Sequence, residues 1–297
     1  MIFVSIASYK DPELKQTILS VLSKADDPYN IHIAVCQQDH LENFLDCSSV
    51  PNVSIVYYNC LDSKGAGWAR NKTNSLYNGE EYFMQIDSHI EMVQGWDTIL
   101  VAQYQKARAM TTNKIVFAAY PSSYELNELG ERVLEPPHVY RTAVKFIEGT
   151  NILEGEASNF VSDELLWAKY LNAGFMFGDG SFIQDCPGDP DIYFWGEEIL
   201  NTAKAYTLGY DMFHPSVHMC WHNYNRQKDI TQHWNDADEA KRKIKWHERD
   251  SASKEKLKKL FSGEMPEYFG TVRNFQDFAD YIEVNFQTSE MKKSPDA

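Results

Sequence analysis

Tyr82-Phe83-Met84-Gln85-Ile86-Asp87-Ser88-His89 opens as a short, apolar, β-prone run and closes on a carboxylate and an imidazole two positions apart. The run predicts a strand that delivers Asp87 at its C-terminal end, and ligands of open α/β sheets gather at the carboxyl ends of strands. Upstream, Ile2-Phe3-Val4-Ser5-Ile6-Ala7 predicts a first strand, and Leu14, Ile18, Leu19 and Leu22 recur at helical spacing after Asp11-Pro12. Ile31 to Cys36 predicts a second strand, and Val53 to Tyr58 a third after the Pro51-Asn52 break. Residues 66–78 and 96–110 predict helices, the former stopped by Gly79, and Ile115 to Tyr120 predicts another strand. Strands alternating with helices place the chain in the α/β class, with a parallel sheet wrapped by helices.

Further along, the pattern changes. Residues 121–160 are rich in Pro, Gly and Glu without a clear period, which predicts a long excursion or a pair of β-ribbons; such irregular segments near a site are often functional. Ala173-Gly174-Phe175-Met176-Phe177-Gly178 is another apolar segment, and Trp195-Gly196-Glu197-Glu198 opens a helix expected to reach about Leu208. Past Arg226 a charge-dense stretch predicts helix to Phe261, followed by an aromatic tail. The division expected is a catalytic domain over 1–225 and a helical extension over 226–297 packed on it.

With 297 residues, 43% of them hydrophobic, the chain is long enough to bury a large core. The N-terminus lacks a basic segment ahead of its apolar residues, and no stretch approaches the roughly 18 apolar residues of a membrane span, so no leader, no membrane span and a cytoplasmic location are expected. Cys36, Cys47, Cys60, Cys186 and Cys220 are odd in number and form no CxxC pair, which predicts buried free thiols rather than a disulfide framework. The net charge of -15 argues against broad nucleic-acid binding, which relies on Lys and Arg. Residues 226–260, however, hold eleven Lys/Arg against seven Asp/Glu. Lys241-Arg242-Lys243-Ile244-Lys245-Trp246, with Lys254, Lys256, Lys258 and Lys259, keeps a nucleic-acid partner open, although such runs are more often solvated helix faces.

A carboxylate oxygen with an imidazole nitrogen suits Mn2+ or a similar divalent cation, which acts as a Lewis acid on a diphosphate leaving group. Taken alone, Asp-x-His is equally compatible with a turn cap and an ordinary hydrogen-bonded histidine. A third ligand is available in Val217-His218-Met219-Cys220-Trp221-His222, which reads as extended, so one of its two histidines is expected to reach the ion; His222 is preferred over His218.

Ala7-Ser8-Tyr9-Lys10-Asp11-Pro12, Gly67-Trp68-Ala69-Arg70, Gln85-Ile86-Asp87-Ser88-His89, Gly95-Trp96-Asp97 and Gly196-Glu197-Glu198 occur in this order. Together they resemble the cytoplasmic N-acetylglucosaminyltransferase family whose known members modify hydroxyproline on a ubiquitin-ligase subunit. Gly270-Thr271-Val272-Arg273 and the helix after it extend the resemblance over nearly the whole chain. More distantly, Asp87-Ser88-His89, Ala173-Gly174 and Trp195-Gly196-x-Glu198 resemble the polypeptide N-acetylgalactosaminyltransferases. Both resemblances imply a GT-A fold (a Rossmann-like, mostly parallel sheet flanked by helices), UDP-sugar donors, Mn2+ and retention of the anomeric configuration.

Carried over by position, the resemblance implies that Asp87, His89 and His222 bind the metal, that Asp87 and Ser88 lie at the diphosphate, and that Ala7, Ser8 and Tyr9 line the nucleotide pocket. Arg70 would approach the donor, where a guanidinium gives charge-assisted bonds to a diphosphate, or else form a helix-surface salt bridge. Asp39 would bond uracil or ribose, or cap its strand. Trp195, Glu197 and Glu198 fall on a catalytic-loop motif; Glu198 aligns with that motif's glutamate and Glu197 replaces a glycine, so either one faces the sugar or begins a helix. Ala173 and Gly174 allow close approach of sugar or acceptor, or pack tightly in a strand.

No second carboxylate stands out as a nucleophile, so a double displacement is not indicated. The resemblance implies front-face attack, with the departing β-phosphate taking the acceptor proton. The function expected is transfer of N-acetylglucosamine or a related hexose from a UDP-sugar to a hydroxyl on a protein, a glycan, a small molecule or a hydroxymethylated DNA base. A non-catalytic nucleotide- or carbohydrate-binding module and a metal-dependent hydrolase are the competing classes.

Overall fold

The computed structural model describes residues 1–148, 150, 152–159, 164–225 and 231–292. In chain order the elements are β1 (Ile2–Tyr9), α1 (Leu14–Ser23), β2 (Ile31–Asp39), β3 (Val53–Asn59), α2 (Ala66–Asn74), β4 (Tyr82–Asp87), β5 (Ile90–Met92), α3 (Trp96–Arg108) and β6 (Ile115–Ala118). There follow β7 (Ser122–Leu126), β8 (Arg132–Leu134), β9 (Tyr140–Phe146), β10 (Leu153–Asn159), β11 (Leu166–Trp167), β12 (Phe175–Asp179), α4 (Phe182–Asp185) and α5 (Glu197–Thr207). The chain closes with β13 (Asp211–His214), β14 (Cys220–His222), α6 (Trp246–Phe261), α7 (Phe275–Tyr281), β15 (Val284–Asn285) and β16 (Glu290–Met291).

Eight strands form one sheet in the order β11-β13-β6-β12-β4-β1-β2-β3. β1 pairs in parallel with β2 and β4, β2 with β3, and β13 with β6, while β12 and β11 run against their neighbours. The central strands read as near-continuous apolar runs because both faces are covered. On one face Ile18 and Val21 of α1 and Trp96 and Leu100 of α3 pack against Val4, Ile33 and Ile86. On the other, Phe182 and Ala205 meet Phe3, Phe83 and Met176. Register sets Ala7 beside Asp87 and Tyr9 beside Gln38, so the carboxyl ends of β1, β2 and β4 come together at one edge.

A second sheet, β5-β14-β7-β8, stands over that edge. β14 pairs antiparallel with β5, His222 opposite Ile90, and parallel with β7. Residues 121–160 form ribbons, β7 with β8 and β9 with β10, although 149, 151 and 160 lie outside the described residues.

Several boundaries differ from the sequence reading. The helix expected over 66–78 ends at Asn74, and Ala173 and Gly174 precede β12 instead of lying in a strand. The helix expected over 226–261 is regular only from Trp246; Asp236 caps a short 3-10 turn at Ala237–Lys241, because the stretch before it is charge-dense but has no apolar period to hold a helix against the core. Residues 226–230, where the extension was expected to begin, lie outside the described residues. From α6 onward the chain shares one apolar core with α5, built from Leu200, Ala203, Leu257, Leu260, Phe278 and Val284, and it includes the β15–β16 hairpin as well as helices. All five cysteines are free thiols; four are buried and Cys47 is half-exposed. Among the described residues no helix is long and apolar enough to cross a membrane.

Candidate active site

β4 ends on Asp87, and Ser88-His89 turn the chain into β5. Thr17 of α1 pins this turn: its hydroxyl donates to the Ser88 carbonyl at 2.8 Å and accepts from the Ile90 N–H at 3.0 Å. The turn therefore has a fixed backbone beneath two chemically active side chains.

Three ligand atoms converge there. His89 Nε2 lies 2.9 Å from His222 Nε2, and His222 Nε2 lies 3.1 Å from Asp87 Oδ2. Asp87, His89 and His222 each offer one donor atom within 4.8 Å of the others, a geometry that fits one cation. On the far side of His89, Nδ1 stands 2.8 Å from Asp11 Oδ2, and the Ser88 hydroxyl donates to the same oxygen at 2.6 Å. An ionised carboxylate only accepts, so Nδ1 carries the proton and Nε2 presents its lone pair to the cluster. Two imidazoles and one carboxylate suit Mn2+ and similar ions. His218 is elsewhere, 3.1 Å from the His138 carbonyl.

Arg70 of α2 completes the wall. Its Nη2 donates to Asp87 Oδ1 and its Nη1 to Glu197 Oε1, both at 2.9 Å. Burial pushes the Asp87 carboxyl up, but His222, Arg70 and His89 outweigh it and hold the group well below the usual carboxylate range. Asp87 thus stays ionised within the cluster.

Two lobes of one cleft meet at Arg70, Asp87, Phe194 and His222, which border both. The first, of about 240 Å³, is lined by Ala7, Tyr9, Gln38, Ser63, Gly65, Ser88, His233 and Trp234 among others. Ser8 and Asp39 are buried and do not line it; Asp39 accepts from the His40 N–H at 2.7 Å and from the Asn43 amide at 2.9 Å. The Tyr9 hydroxyl donates to Asp236 and accepts from Arg242, leaving its ring 5.0 Å from that of His233. Gly65 is forced by its surroundings: at φ +106°, a Cβ would sit 2.3 Å from the Tyr193 carbonyl oxygen.

The second lobe, of about 390 Å³, is lined by Tyr120, Glu154, Asn172, Ala173, Gly174, Trp195, Glu197, Glu198 and Tyr224 among others. Glu197 and Glu198 both lie in the first turn of α5, where carboxylates favour the helix dipole. They part company in their partners. Glu197 is tied to Arg70, whereas Glu198 accepts from the Ala173 N–H at 2.8 Å and the Tyr170 hydroxyl at 3.2 Å. Burial pushes Glu198 up to about 7. Gly174 abuts the metal cluster, since a Cβ there would lie 3.2 Å from Asp87 Oδ2.

Sequence reasoning gave no role to Asp11, Gln38, Ser63, Phe194, His233 or Trp234, and read Arg242 only as part of a basic run. Asp11 lies within the quoted Ser8-Tyr9-Lys10-Asp11-Pro12 segment, and its distance of two residues from the end of β1 was an available signal. The residues after 230 reach the first lobe only by long-range folding, and nothing local announces it.

A family model described as Glycosyltransferase (GlcNAc) matches residues 1–54 and 40–291 of the chain. No curated protein matches it in sequence. Among solved structures, the crystal structure of GalNAc-T7 with UDP, GalNAc and Mn2+ is similar with a TM-score of 0.58 and 16% identity, covering 98% of this chain and 57% of that one. This chain therefore spans little more than half the length of that relative. The crystal structure of S. aureus TarS 1-349 has a TM-score of 0.47 and 16% identity over 89% of this chain and 73% of that one. The same fragment in complex with UDP-GlcNAc gives 0.47 and 17% over 95% and 81%. The likeness to GalNAc-T7 identifies the fold as the α/β, GT-A type.

Proposed function

The chain belongs to the glycosyltransferase (GlcNAc) family, and we propose that it is a retaining, divalent-metal-dependent transferase moving N-acetylglucosamine or a related hexose from a UDP-sugar to a hydroxyl. The observation that carries this reading is the convergence of Asp87, His89 and His222 where the two lobes meet. A nucleotide in the first lobe would place its diphosphate at that junction and its sugar in the second. Asp87, His89 and His222 would hold the cation, which supplies Lewis-acid neutralisation of the diphosphate when bound.

The chain's own residues then have separate tasks. Ala7, Tyr9, Gln38 and Ser63 receive the nucleoside; Asp11 and Ser88 fix the tautomer and pose of His89. Arg70 uses both terminal nitrogens on Asp87 and Glu197, so we assign it the positioning of Asp87. Ala173 and Gly174 admit the sugar ring, and Glu198 holds the Ala173 backbone in place while bordering the same space. In the transfer, the bond from the anomeric carbon to the β-phosphate oxygen breaks and one to the acceptor oxygen forms on the same face. The acceptor's proton goes to the departing phosphate oxygen. Glu197, locked to Arg70, is not free to attack, in keeping with the front-face route.

Calorimetric titration with UDP, UDP-N-acetylglucosamine, UDP-glucose and UDP-N-acetylgalactosamine, each with Mn2+ and with chelator, tests the donor. Binding of uridine nucleotides that requires the metal is expected. Absence of binding by every uridine nucleotide would sink the donor class.

A further inference from the structure

Resting on the transferase reading, we infer that the acceptor is an uncharged sugar at the end of a glycan, stacked on the aromatic rim of the second lobe and hydrogen-bonded by Glu154. Beyond the small residues at 173 and 174, this lobe is walled by rings. Phe194 and Trp195 are 39% and 42% exposed and stand edge to face at 5.3 Å. Tyr120 stacks on Tyr224 at 5.5 Å across the lobe's base. Large rings left open at the mouth of a cleft are recognition surfaces, since their burial is available only to a ligand. Among the described residues, the one ion-pair contact of Glu154, on β10 at the same wall, is a long 3.5 Å approach to Lys145, which also pairs with Glu156. A pyranose matches both features, offering a C–H face to a ring and paired hydroxyls to a carboxylate.

Charge separates this acceptor from the alternatives. The carboxylates of the lobe are Asp87, Glu154, Glu197 and Glu198; Arg70 is already engaged by two of them, and His222 also lines the space. Apart from Arg70, no Lys or Arg among the described residues lines this lobe, so a phosphate-bearing acceptor would find no cationic side chain beside Glu154. Much of the basic run of the C-terminal part is already paired. Lys241 pairs with Asp238, Arg242 with Asp236 and Glu239, Lys254 with Asp250, and Lys256 with Asp189 and Asp191, while Lys245 donates to three carbonyls.

The test uses the full chain with Mn2+ and UDP-N-acetylglucosamine, measuring UDP release above the acceptor-free rate. Three probe sets are offered: neutral oligosaccharides, hydroxyl-bearing peptides, and duplex DNA containing hydroxymethylated bases. Stimulation by neutral oligosaccharides is expected, with saturation transfer from aromatic protons to their ring C–H protons. Glu154→Gln, on an exposed strand, is expected to raise the acceptor KM about tenfold, as loss of a charged hydrogen bond does, without changing UDP affinity. The inference is overturned if peptides or DNA are the better acceptors, if no neutral sugar receives saturation, or if Glu154→Gln leaves the acceptor KM unchanged. Failure of UDP to bind at all in the parallel titration would instead overturn the transferase reading beneath it.

Discussion

Nδ1 of His89 and Oδ2 of Asp11 face each other at 2.8 Å, joining the loop after β1 to the turn after β4. This contact sets the tautomer that the proposed metal-binding role of His89 requires, and such supporting carboxylates typically change metal affinity by 10–100-fold when altered. Asp11→Asn keeps the shape but can present an N–H to Nδ1 in place of an acceptor. The expected result is a drop of about tenfold or more in Mn2+ affinity by calorimetry, with far-ultraviolet circular dichroism unchanged.

Arg70 bridges Asp87 and Glu197 from a nearly fully buried position. Arg70→Ala leaves Glu197 buried without its cation, which is expected to cost about 3–5 kcal/mol in denaturant unfolding. Arg70→Lys retains the charge but cannot serve both carboxylates in one plane, so it should recover part of the stability and little of the transfer rate.

Glu198 supplies a pH signature. Its folded-state pKa, pushed up by burial to about 7 from the ordinary 4.5, means that its contribution to stability is fully present below about pH 4.5 and is lost as the pH rises through 7. The loss amounts to at most about 3 kcal/mol. Thermal unfolding of wild type and Glu198→Gln from pH 4 to 8 should show the wild type losing ground to the variant across that window. Parallel curves would contradict the assignment.

Gly174 leaves room for the Asp87 carboxylate. A Cβ at this position would lie 3.2 Å from Oδ2, tight enough that the carboxylate must shift by a few tenths of an ångström. Gly174→Val is therefore expected to weaken metal binding and abolish sugar transfer while leaving the unfolding midpoint close to wild type. Retention of full Mn2+ affinity in this variant would show that Asp87 can bind from another pose.

The central strands and the placing of Asp87 were legible because fully buried strands carry uninterrupted apolar runs, as in Ile2–Tyr9 and Tyr82–Asp87. His222 was legible as a residue but its seat was not, since it reaches His89 only through the pairing of β14 with β5. Asp39 shows the limit of reading a strand end, since its Oδ1 accepts from the His40 N–H and the Asn43 amide, partners that no strand pattern announces. The segment 231–245 was misread as helix because dense charge resembles a solvated helix face, whereas Asp236, Arg242 and Tyr9 draw it across the first lobe as a network. Tertiary hydrogen bonds of this kind leave no periodicity in sequence.

The central claim is that Asp87, His89 and His222 hold one divalent cation. Electron spin echo modulation of the Mn2+-loaded protein tests it most directly, because nitrogen ligands imprint their own frequencies on the manganese signal. Two imidazole nitrogen couplings are expected in the wild type, one in His222→Ala, and a further shift when UDP is added. A bound manganese with no nitrogen coupling, or one whose couplings survive both His89→Ala and His222→Ala, would contradict the account.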